Sequence, residues 1–157
     1  MLTTKNSGNR EKAIAYIRVS SQRQVDEGVS LDAQKRRILD YARFKGIPLD
    51  ESDILIEKGV SGGIPLWERP VGRRLKQRLA SGQYQHLISM KIDRLFRVTS
   101  DMLNTIDELN AAGIDLHVVD MGGQAIDTTT AVGRLFLTIV AAMAEMERGL
   151  ISERTQE

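Results

Sequence analysis

Residues 13–19 read Ala-Ile-Ala-Tyr-Ile-Arg-Val (AIAYIRV). A short run so rich in β-branched and aromatic residues predicts a strand. Three further runs share its character: 53–57 (DILIE), 86–90 (HLISM) and 115–119 (DLHVV). Amphipathic stretches of helical length lie between them. After Ser30, a good N-cap, Leu31, Ile38, Leu39 and Ala42 recur at roughly helical spacing, and Gly46 and Pro48 end the segment. Val71, Leu75 and Leu79 mark a second helix, stopped at Ser81-Gly82. Ser100 caps a third, which carries Leu103, Ile106 and Leu109 and closes at Gly113. A last helix runs from about Ala131 to the end. Strands alternating with helices predict an α/β fold with a mainly parallel, doubly wound sheet and helices on both faces. Two irregular stretches, 58–69 (KGVSGGIPLWER) and 120–130 (DMGGQAIDTTT), follow strands. Loops at the carboxyl edge of such a sheet are where ligands bind.

The length of 157 residues suits about one domain with a real core. With 41% hydrophobic and 27% charged residues, the chain falls outside the disordered and fibrous classes. It has no Cys, hence no disulfide framework, thiolate nucleophile or thiolate zinc site. Its two His, His86 and His117, argue against a histidine-rich metal centre. The longest apolar stretch, Leu135 to Ala144, has ten residues, against the ~20 of a membrane span. The opening MLTTKNSGNREK lacks the apolar core of a signal peptide. The expectation is a cytoplasmic protein with no membrane partner.

A net charge of +1 hides a strong asymmetry. Residues 69–97 carry eight basic side chains (Arg69, Arg73, Arg74, Lys76, Arg78, Lys91, Arg94, Arg97) against one acidic, Asp93. Residues 98–157 carry three basic and ten acidic side chains. The basic block argues for a polyanionic partner, the alternative being a solvated helix face.

Parallel strands point their carboxyl ends the same way. Ser20 follows the first strand directly, Arg18 stands two residues before it, and Arg69 closes the loop after the second. Lys91, Asp93, Arg94 and Arg97 follow the third. The fold thus gathers a hydroxyl, several guanidinium groups and a carboxylate along one edge. Guanidinium is planar, permanently charged and able to grip phosphate oxygens bidentately. Such groups around one hydroxyl suit a phosphodiester whose oxygens gain charge during displacement, and they favour the alkoxide that a Ser nucleophile needs. Singly, each element has a plain reading. Ser20 is a turn residue, Arg94 and Arg97 are an exposed i, i+3 pair, and Asp93 is a helix cap. His86 and His117 read as structural, since neither falls at a strand's carboxyl end, and Trp67 reads as a loop anchor. The Gly pairs at 62–63 and 122–123 match no Walker or dinucleotide fingerprint.

The last helix is apolar nearly all round. Val132, Leu135, Phe136, Ile139, Val140, Met143 and Met146 form one stripe, with Leu137, Ala141 and Ala144 opposite. Such a helix must be buried on nearly all sides. Its own domain can cover one side, so the expectation is a second subunit on the other, the alternative being a central core helix.

The string Tyr16-Ile17-Arg18-Val19-Ser20-Ser21 resembles the Y-x-R-V-S-[ST] motif of serine site-specific recombinases. Further matches follow in order. Gln24 and residues 27–34 (EGVSLDAQ) resemble the next loop and first helix, and Ser61-Gly62 with Glu68-Arg69-Pro70 the second active-site loop. Residues 91–97 (KIDRLFR) resemble the K-x-D-R-L-x-R motif, and Glu145-Met146-Glu147-Arg148 with Ser152-Glu153-Arg154 the long helix. The resemblance spans about residues 13–157, and its E-G-x-S-x-x-x-Q and E-R-P details look most like the large serine integrase branch.

The resemblance implies that Ser20 is the nucleophile, forming a 5′-phosphoserine link to double-stranded DNA. It gives Arg18, Arg69, Arg94 and Arg97 the scissile phosphate and its transition state. Asp93 then either orients an Arg or assists proton transfer to the leaving 3′ oxygen. Gln24 and Gln34 support the site, Arg78 falls near a functional Lys of small resolvases, and Glu147 and Arg148 sit where the long helix regulates dimer and tetramer packing. The phosphoserine ester conserves bond energy, so no cofactor and no metal is expected. The domain reading is a polar tail over 1–12, a catalytic domain over 13–130 and the start of an interface helix over 131–157, with the C-terminal DNA-binding region absent. Two competing classes fit less well. A flavodoxin-like receiver or ligand-binding module needs an acidic rim where this one is rich in arginine. A metal-dependent nuclease needs clustered carboxylates that strands one and three do not supply.

Overall fold

A computed structural model describes residues 11–19, 31–91, 99–121, 124–127 and 130–156. Strand β1 (Lys12–Val19) is buried along nearly its whole length because it has a neighbour on each side. It pairs in parallel with β2 (Ile54–Lys58), Ala15 facing Ile54, and with β3 (Tyr84–Ser89), Ile14 facing Leu87. β3 pairs in parallel with β4 (Asp115–Met121), and β5 (Gln124–Asp127) closes the order β2-β1-β3-β4-β5.

β5 corrects the reading of residues 120–130 as irregular. It pairs antiparallel with β4, Val118 facing Ile126. Four residues beside a Gly pair carry too little periodicity to announce a strand; an edge position asks for only one partner. The expected parallel sheet thus ends in one antiparallel edge strand.

The β period of two splits the core into two layers. Ala13, Ala15, Ile17 and Val19 face one side, where helix α1 (Leu31–Lys45) brings Ile38, Tyr41 and Ala42. Ile14 and Tyr16 face the other. There helix α2 (Pro70–Ala80) brings Val71, Leu75 and Leu79, and helix α3 (Thr99–Ala111) brings Met102 and Leu109. Burying one such aliphatic side chain contributes about 1.5–3 kcal/mol. α1 ends where expected. Gly46 adopts φ +70°, and Ile47 N–H donates to Ala42 O at 2.8 Å, a Schellman stop. α3 begins at Thr99, so Ser100 lies inside the first turn rather than capping it.

Helix α4 (Ala131–Gln156) starts at Thr130, whose hydroxyl accepts the Gly133 N–H at 3.0 Å. It packs on α3 and β5. Val132, Leu135, Phe136, Ile139, Met143, Met146 and Leu150 remain exposed along it. Among the described residues no helix is long and apolar enough to cross a membrane.

Candidate active site

The parallel strands place Val19, Lys58 and Ser89 at one edge, and the loop from Gly59 to Arg69 crosses it. Arg18 shares the α2/α3 side of β1 with Ile14 and Tyr16, by alternation. It is only 6% exposed, and its Nη1 donates to Val60 O at 3.0 Å. A Cβ on Gly62 would stand 3.0 Å from Arg18 Nη2, so glycine lets this loop close over the guanidinium.

Arg69 is the N-cap residue of α2 and is 0% exposed. Its Nε donates to Ile64 O at 2.8 Å and its Nη2 to Gly62 O at 3.3 Å. Its Nη1 donates to the Tyr16 hydroxyl at 3.3 Å. Tyr16 in turn donates to Glu57 Oε1 at 3.3 Å. Glu57, 2% exposed, accepts the backbone N–H of Val71 at 3.0 Å and of Gly72 at 3.1 Å. These are orphan donors in the first turn of α2, where a negative charge also meets the positive end of the helix dipole. A buried guanidinium and a buried carboxylate, bridged by one phenol, compensate each other's desolvation. Burial pushes the Tyr16 hydroxyl up to about 12, with Glu57 adding to the rise and Arg69 opposing it. Burial also raises the Asp101 carboxyl, which accepts the Leu66 N–H and feels the Arg69 charge.

The structure therefore brings Arg18 and Arg69 together under one loop. Arg69, expected at the scissile phosphate, is fully buried in this structure and donates to two loop carbonyls and a phenol. Gln34 is buried in the first turn of α1. That turn belongs to the carboxyl edge, because the far end of the helix returns to the strand's amino end, where Ala13 N–H donates to Pro48 O. Arg78 is not brought to this edge. It pairs with Asp53 at 3.1 Å, and Tyr84 donates to the same carboxylate at 2.7 Å, at the amino ends of β2 and β3. Lys91 follows β3 and is exposed. Ser20, Gln24, Asp93, Arg94 and Arg97 lie outside the described residues, and the side chains of Glu147 and Arg148 are not described. Sequence reasoning missed Glu57 and the phenol of Tyr16. Glu57 stands two residues after buried Leu55 in a strand, and that alternation is the signal that it points inward.

Residues 13–157 match the family described as "Resolvase, N terminal domain". The chain is 36% identical over 144 residues to the Transposon Tn2501 resolvase of Escherichia coli, covering 92% of this chain and 67% of that protein. It is 34% identical to the DNA-invertase hin of Salmonella typhimurium, covering 90% and 64%. Among solved structures it resembles the N-terminal catalytic domain of TP901-1 integrase (TM-score 0.72, 35% identity, 89% of this chain and 98% of that one). It also resembles a resolvase family site-specific recombinase from Streptococcus pneumoniae (TM-score 0.68, 26% identity, 93% of each chain). The chain belongs to the serine site-specific recombinase family, through the resolvase-type catalytic domain. It spans about two thirds of the length of the curated relatives it matches.

Proposed function

We propose that this chain is the catalytic domain of a DNA site-specific recombinase of the large serine integrase type, which cleaves and rejoins duplex DNA through Ser20. The observation that carries the reading is the pairing of Arg18 and Arg69 beneath the 60–64 loop, with Ser20 two residues beyond Arg18. Ser20 Oγ attacks the phosphorus, the bond to the 3′ oxygen breaks, and that oxygen leaves as a hydroxyl. The 5′ phosphate stays on Ser20. In the reverse step a 3′ hydroxyl attacks the phosphoserine and releases the side chain.

Arg18, Arg94 and Arg97 stabilise the charge on the phosphoryl oxygens. Arg69 acts in the described state as a positioning residue that holds the loop. Asp93 orients an arginine or delivers the proton to the 3′ oxygen. Gln24 and Gln34 support the edge. Residues 13–130 form the catalytic unit, and the helix from 131 carries the subunit interface, with Glu147 and Arg148 tuning it. The partner on α4 is a second copy of the chain, since Val132 is 77% and Met143 54% exposed along the same helix.

The test incubates the full-length parent with suicide-substrate DNA and EDTA. A covalent complex that disappears in Ser20→Ala supports the assignment, and one that persists in the variant rejects it. Ile139→Glu or Met143→Glu should abolish assembly in sedimentation and strand exchange; unchanged recombination rejects the role of the helix.

A further inference from the structure

The basic block of the sequence divides in space. Arg69 is buried and Arg78 is paired at the opposite edge, which leaves Arg73, Arg74 and Lys76 on the outer face of α2. Helix α2 carries no acidic residue. α1 is different: it mixes Asp32 and Asp40 with its cations, Arg43 lies 3.7 Å from Asp40, and Arg37 lies 3.8 Å from Asp120. Arg73 and Arg74 are exposed and ion-paired to no described residue. Lys76 is held in place. Its Nζ lies 5.6 Å from the centroid of Trp67, whose Nε1 donates to Glu108 at 3.1 Å.

We infer that the outer face of α2 is a second contact for the phosphate backbone of duplex DNA, separate from the scissile phosphate and blind to sequence. This rests on the reading of the chain as a DNA recombinase and names which surface adds to it. The helix starts at Arg69, beside the loop over the active edge. At 1.5 Å per residue the cations at 73, 74 and 76 extend the positive path about 6–10 Å from that edge along the flank of the domain. A duplex presents one negative charge per ~1.7 Å of its axis, so several phosphates fall within that reach. Two free guanidinium groups and one anchored ammonium match a row of phosphates better than a flat protein surface, because each fork grips two oxygens of one phosphate.

The experiment measures binding of this chain to a random-sequence duplex by fluorescence anisotropy across a salt series. Each phosphate contact contributes about 0.9 to the slope of log K against log salt. The double variant Arg73→Ala/Arg74→Ala should lose about 1.8 of slope and bind several-fold more weakly at low salt. Arg73→Lys/Arg74→Lys should recover most of the slope. Thermal melting of both should match the parent, since both side chains are exposed. An alanine variant with unchanged slope and affinity overturns the inference. The covalent-complex assay on Ser20 is read separately, so failure of the recombinase reading and failure of this contact are told apart.

Discussion

Nδ1 of His86 and Nε2 of His117 lie 3.0 Å apart in the buried layer between the sheet and α1. A hydrogen bond between two ring nitrogens needs one N–H and one bare nitrogen. The outer nitrogens are also engaged: His117 Nδ1 with the Tyr41 hydroxyl at 2.8 Å, and His86 Nε2 with Glu11 Oε2 at 3.1 Å. The four groups thus form one continuous hydrogen-bonded chain from Tyr41 through His117 and His86 to Glu11.

His117→Phe breaks this chain in the middle and takes a hydrogen bond from each of two buried groups, the Tyr41 hydroxyl and the His86 ring. Each such group costs about 1–3 kcal/mol. Tyr41→Phe removes only the terminal hydroxyl of the chain and should cost about 1 kcal/mol. Urea denaturation of both variants checks the ranking; equal midpoints in parent and His117→Phe would reject the chain as a structural element.

Gly72→Ala should be among the most damaging single changes in the protein. An added Cβ would stand 1.8 Å from Leu66 O and 2.9 Å from Leu66 C, both backbone atoms that cannot swing away. The short 3-10 turn Leu66–Glu68 would have to leave α2. Overpacking of this kind costs roughly 3 kcal/mol or more, a fall in melting temperature of at least ~6 °C for a chain of this size. At Gly62 the nearest atom is the tip of Arg18, so Gly62→Ala should melt normally and lose cleavage.

The Tyr16 hydroxyl, pushed up to about 12, gives an alkaline signature. Its folded value lies above the unfolded value of about 10, so its contribution to stability is whole below pH 10 and is lost as the pH rises through 12. Tyr16→Phe should flatten stability between pH 10 and 12 while lowering it at neutral pH. Urea midpoints from pH 8 to 12 decide the matter, and an equally steep alkaline fall in the variant would count against it.

Arg69→Met removes the positive partner of buried Glu57 and frees two loop carbonyls. Losing one member of a buried charge pair costs about 3–5 kcal/mol. Arg69→Lys should rescue little, because a point charge cannot reach Ile64, Gly62 and Tyr16 at once. Hydrogen exchange at residues 60–64 should speed up in both variants; protection equal to the parent would refute the loop-holding role.

Where the sequence was legible, one physical signal dominated. AIAYIRV and DLHVV are mostly apolar, without a polar alternation, because parallel strands are covered on both faces, and Leu75 and Leu79 repeat at helical spacing because α2 has one wet face. QAID stayed hidden because an edge strand of four residues satisfies neither pattern. At the site, Arg18 was visible as a charge near the end of a strand and Arg69 as one closing the loop after the next, but their burial was not. Charge normally signals exposure, and only the fold reveals that Tyr16 and Glu57 compensate a guanidinium inside. Arg78 belonged to the same basic block in sequence, near the place of a functional Lys in small resolvases; about two and a half turns of helix carry it to the other end of the sheet.

Helix α4 has a thermodynamic consequence. Its 26 residues extend about 39 Å, and among its described side chains seven large oily ones are exposed to water in the single chain. Water charges roughly 25 cal/mol for every Å² left uncovered. If a second copy covers this helix as proposed, heat tolerance should climb as the solution is made more concentrated, because mass action and not any bond inside the chain then completes the burial.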